Sequence, residues 1–151
     1  MDERICYFFS FLIEGLVFWN YVSILFVPKY STKIRFVCLS SGFFILFLSS
    51  LHNVFLLNCI LYTTVCFLYL IFLYKTSWYY ALFHSLLFEV LTGACELPVY
   101  SFLSTFLTSA SLRAADFHLK LLFAVMSKTL FFAVMSVLLL WLKKRQKPFL
   151  Q

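Results

Sequence analysis

The segment 78–100 is apolar and long enough to cross a bilayer as a helix, because roughly 20 residues rising about 1.5 Å each match a hydrocarbon core about 30 Å thick. It nevertheless carries two carboxylates, Glu89 and Glu96. With Ser85 and Thr92 they follow one another at steps of four, three and four residues, so on a helix all four share one stripe. A charge at mid-bilayer costs at least about 2.5 to 3.5 kcal/mol, which rules out a stripe that faces lipid. The helix is therefore expected to form the inner wall of a bundle, its acids paired, protonated or hydrated. Pro98 removes one backbone donor, frees the carbonyl of Ala94 and biases Leu97 away from helical geometry. Together with Gly93, it predicts a kink or opening beside Glu96.

The rest of the chain has the same apolar character. Hydrophobic residues make up 64% and charged residues 12%, with a mean hydropathy of +0.97, more apolar material than a soluble domain of this length needs for one core. The fold class is all-α, a polytopic integral membrane bundle of about five transmembrane helices. They are expected at about 5–26, 34–51, 54–74, 78–106 and 117–142, with a basic tail at 143–151. These spans leave no room for a soluble catalytic domain. Phenylalanine occurs 21 times and glycine 3 times, and no alanine precedes Ala81. Close packing of the GxxxG kind is thus largely closed to this chain, and large interlocking side chains must replace it.

Charge gives the orientation. The net charge of +6 comes from basic residues that gather at span ends, a pattern of membrane orientation rather than of nucleic-acid binding. Placing Lys29, Lys33, Arg35, Lys75, Lys143, Lys144, Arg145 and Lys147 inside leaves Arg4, Arg113 and Lys120 outside. Eight against three predicts the N-terminus out and the C-terminus in, in a multi-pass protein of a bacterial cell membrane. The opening Met-Asp-Glu-Arg lacks a basic n-region and a small-x-small cleavage site, so the first apolar segment is expected to be retained. Membrane lipids are the expected surroundings, and anionic headgroups would anchor the tail.

Four ionisable residues lie away from the expected interfaces: Glu14, Glu89, Glu96 and Lys128. Measured from the inner helix ends, Lys128 at roughly 21 Å falls between Glu89 at roughly 16 Å and Glu96 at roughly 27 Å, with Glu14 at roughly 18 Å. Lys128 is expected to pair with Glu89 or Glu96. Glu14, Glu89, Thr92, Glu96 and Lys128 are the candidate ligand-binding residues, in a polar pocket open to the outer side. Two other readings use the same residues: simple fixing of helix register, where polar contacts average about 0.6 kcal/mol, and a proton or ion path. His84 reads as a hydrogen-bonded helix residue. The third apolar segment, without any charge, suggests no chemistry.

No catalytic signature accompanies them. The sequence has no His-Glu-x-x-His, no Gly-x-Ser-x-Gly and no glycine-rich phosphate loop. Cys95 and His84 stand eleven residues apart, over about 16 Å along a helix, too far for a nucleophile and its base. The cysteines at 6, 38, 59, 66 and 95 lack a Cys-x-x-Cys and read as small buried apolar residues. No cofactor or metal is expected. The sequence Phe-Ala-Val-Met-Ser recurs from Phe123 and Phe132, but nine residues turn a helix by about half a circle, so the copies face opposite ways.

Three stretches resemble the membrane sensor region of bacterial peptide-responsive histidine kinases of the accessory-gene-regulator type, whose kinase half belongs to the GHKL group. They are Leu12-Ile13-Glu14 leading to Asn20-Tyr21, the run Ser50-Leu51-His52-Asn53, and Ser77 to Glu96 with Ala81-Leu82-Phe83-His84-Ser85-Leu86. The resemblance covers most of the first four apolar segments and implies detection of an extracellular peptide and a signal passed inward. The phosphoacceptor helix and ATP-binding domain of that family are missing from this sequence. The expected function is a non-catalytic sensor or ligand-binding module, acting as a homo-oligomer or with a partner membrane or signalling protein. A transport component and a pore-forming protein are the alternatives. Against a vitamin-transporter subunit stands the lack of an early Ala-x-x-x-Ala face.

Overall fold

A computed structural model describes residues 2–50, 55–106 and 117–146. Within them lie five helices: α1 (Asp2–Leu25), α2 (Thr32–Ser50), α3 (Phe55–Leu73), α4 (Trp78–Phe106) and α5 (Phe117–Gln146). Each is long and apolar enough to cross a membrane. Lys143 to Arg145, read from sequence as the start of a tail, belong to the last turn of α5, where cations favour the negative end of the helix dipole. The turn at 51–54, the outer loop at 107–116 with Arg113, and the tail beyond 146 fall outside the described residues.

Each helix packs on its neighbours in the chain, and α5 returns to α1, so the five close into a ring. Phe88 of α4 is fully buried at its centre. Its ring meets Phe18 of α1 edge-on at 5.0 Å and Phe131 of α5 at 5.3 Å, and it stacks on Tyr62 of α3 at 6.3 Å. Aromatic edges and faces attract through their quadrupoles, which suits a chain with so little alanine to pack. Close backbone approach is confined to few places. A Cβ on Gly42 of α2 would come within 2.8 Å of Val65 on α3, and one on Gly15 within 3.4 Å of the Phe43 ring, whereas Gly93 faces open space.

The seam that α4 buries differs from the expected stripe. Ala81, Ser85, Phe88, Cys95 and Val99 are buried, while Glu89, Thr92 and Glu96 are only partly so. At 100° per residue the polar stripe is rotated roughly 50° from the centre of this seam. Phe88 displaces it, because a large ring fills the ring's centre better than a carboxylate does. As expected from its length, α4 runs through Pro98 to Phe106. Cys6, Cys66 and Cys95 are buried as expected, but Cys38 is exposed.

At one end of the bundle, two connections are laced together. Lys29 N donates to the Leu73 carbonyl and Lys75 N to the Val27 carbonyl, both at 2.9 Å, and Pro28 and Tyr74 form an isolated antiparallel bridge. Beside it Arg35, in the first turns of α2, is buried instead of lying in a loop. Its guanidinium sits 5.1 Å from the Trp19 ring and 5.4 Å from the Tyr74 ring and donates to the Tyr74 hydroxyl at 2.8 Å.

Candidate functional site

Charges collect where three helices meet. Lys128 of α5 is buried and forms an ion pair with Glu14 of α1, also buried. Its ammonium nitrogen also donates to Glu96 Oε1 of α4 at 2.6 Å. Glu14 lies near the middle of the apolar window Arg4–Leu25 and Lys128 near the middle of Leu121–Trp141. Breaking such a pair by removing one partner strands a buried charge, so the triad locks α1, α4 and α5 together.

The structure thus brings together Glu14, Glu96 and Lys128, and sends Glu89 elsewhere. Glu89 meets Thr63 and Cys59, one turn apart on α3. The expected alternatives for Lys128 were Glu89 or Glu96; it takes Glu96 and adds Glu14. Closure of the ring explains this, because α5 is wedged between α1 and α4 while Glu89 lies on the side of α4 that meets α3. Thr92 stands one turn before Glu96, and its Oγ1 donates to the Phe88 carbonyl at 3.0 Å.

Tyr62 was missed in the sequence. It lies on α3, beside Glu14 and Thr92. Buried with 7% of its surface exposed, it carries a hydroxyl with no hydrogen bond of ordinary geometry among the described residues. The one available signal was Tyr62-Thr63 in the middle of an otherwise apolar helix, since both side chains turn toward the carboxylates of other helices. His84, read as a hydrogen-bonded helix residue, shares a 2.6 Å hydrogen bond with the Tyr21 hydroxyl and stands apart from the triad.

Access is uneven. The side chains of Glu14 and Lys128 are 6% and 5% exposed, whereas that of Glu96 is 41% exposed. A cavity of about 430 Å³ between α1 and α2, lined by Phe8, Phe11, Gly15, Phe36, Phe43 and Phe47 among others, is almost wholly apolar. Where the sequence led us to expect a polar pocket, Glu96 stands as a half-open carboxylate on the flank of α4.

Five apolar helices with outward side chains such as Val37, Leu56, Phe72 and Leu140, joined by an ion triad with a buried Glu14–Lys128 pair, define a class: a multi-pass membrane protein. Within that class, no known protein family, curated protein or solved structure gives a significant match to the chain.

Proposed function

We propose that the chain is a non-catalytic sensor or ligand-binding module of a bacterial cell membrane, with its N-terminus outside and its C-terminus inside. It takes an extracellular peptide or a small amphipathic ligand at Glu96 and transmits occupancy through the triad to a second copy or a signalling partner. The observation that carries this reading is the uneven triad, with two carboxylates on one ammonium and only Glu96 open to an incoming group. Intramembrane ionisable groups of this kind are costly and mark functional sites by default. The resemblance of Leu12-Ile13-Glu14 and of Ser77 to Glu96 to peptide-responsive sensor regions adds the choice of a peptide.

Sealed vesicles of zwitterionic lipid provide the test. Reconstituted protein should retain an encapsulated dye and pass no protons under an imposed pH gradient. Amphipathic peptides added from outside should raise its unfolding temperature, and Glu96→Gln should weaken that response. Dye release would replace this reading with a pore, and proton flux would replace it with a carrier.

A further inference from the structure

The triad also restricts the chemistry of its ligand. We infer that the ligand presents a cationic nitrogen, an ammonium or guanidinium on an apolar body, which takes Glu96 from Lys128. The inference rests on the ligand-binding reading above and narrows it.

Charge comes first. Two carboxylates share one ammonium, so formal negative charge outnumbers positive there, and an incoming cation answers the surplus. An anion would meet two carboxylates, and a neutral ligand would leave the excess untouched. Donor and acceptor counts agree. An ammonium has three donors and no acceptor, and three side-chain oxygens are available to accept. Glu96 is half open. Thr92 lies one turn away and keeps its lone pairs while donating to Phe88.

The third oxygen is the Tyr62 hydroxyl, buried beside Thr92 and Glu14 with no hydrogen bond of ordinary geometry among the described residues. A phenol there accepts from the ligand while donating to Glu14. A buried polar atom left unpaired is destabilising, and a ligand that engages it recovers that loss. The rim suits an apolar or aromatic body. Tyr100 follows Glu96 by one turn and its ring lies 6.5 Å from that of Phe123, with Leu97 exposed alongside.

The exchange has a mechanical result. Lys128 keeps Glu14 and gives up Glu96, so α5 stays fastened to α1 while α4 is released from both. The ligand thus moves one helix relative to a fixed pair.

Phenethylammonium, phenethyl alcohol and 3-phenylpropanoate differ chiefly in charge and serve as probes. Each is titrated calorimetrically into the full chain in zwitterionic nanodiscs, with empty discs as the blank. The ammonium should bind saturably, the alcohol at least tenfold more weakly, and the carboxylate not at all. Glu96→Gln should erase the preference for the cation, and Tyr62→Phe should weaken the ammonium several-fold with no loss of unfolding temperature. Equal binding of alcohol and ammonium, or an unchanged preference in Glu96→Gln, overturns the cation while leaving a ligand site in place. If phenethylammonium fails to bind, the cation is overturned as well, and the peptide measurement decides the broader reading.

Discussion

Lys128 is the residue on which the greatest electrostatic demand falls, since its one ammonium answers carboxylates from two other helices. Replacing it with Met leaves Glu14 buried without a counter-charge. The expected loss is about 3 to 5 kcal/mol, seen as a lower melting temperature of detergent-purified protein; an unchanged melt would show that the triad holds nothing together. Phenethylammonium should restore part of that loss, because it supplies the missing charge, whereas phenethyl alcohol should not. Tyr62→Phe behaves differently. It deletes a buried hydroxyl with no hydrogen bond of ordinary geometry among the described residues, so stability should stay level or rise by about 1 kcal/mol, and a clear drop in the same melt would mean that the hydroxyl holds the fold through Glu14. Glu14, Glu96 and Lys128 were legible in the sequence because a charge inside an apolar run has few explanations. Tyr62 was not, because tyrosine is an ordinary constituent of aromatic helices and only its place opposite Glu14 gives it meaning.

At the scale of the element, α4 shows where periodicity succeeds and where it stops. Its span, 78–106, was readable from hydropathy alone and agrees with Trp78–Phe106. Its orientation was off by half a helical step, since polar spacing identifies a stripe but cannot tell whether a carboxylate or Phe88 occupies the centre of the bundle. Pro98 was expected to kink or open the helix beside Glu96, and α4 continues as helix through it. The glycines provide a paired test. Gly42→Leu drives a side chain into Val65 and should cost about 1 to 3 kcal/mol, while Gly93→Ala enters open space and should gain about 0.5 to 1 kcal/mol from helix propensity. Thermal unfolding of the two variants in the opposite order would contradict the close approach of α2 to α3. Arg35 was counted in the sequence as a loop charge, and nothing local announces that Trp19 and Tyr74 from two other parts of the chain close over it.

For the whole molecule, the lacing of 27–29 to 73–75 fixes two basic connections at one end of the ring. In a cysteine-free background, Lys29→Cys and Lys75→Cys should therefore react with an impermeant thiol reagent from the same face of sealed vesicles. Labelling from opposite faces would break the ring order. The five helices of the described residues and their all-α character were legible because apolar runs of about 20 residues have one economical solution in lipid. Ring closure was not, as no pattern within α1 or α5 states that the two lie side by side. That adjacency bears on how the protein is made. The acids of the first and fourth helices are synthesised well before the lysine that answers them, so the partly built chain must hold two unanswered carboxyl groups until translation delivers the last segment, which arrives as the keystone of the arch.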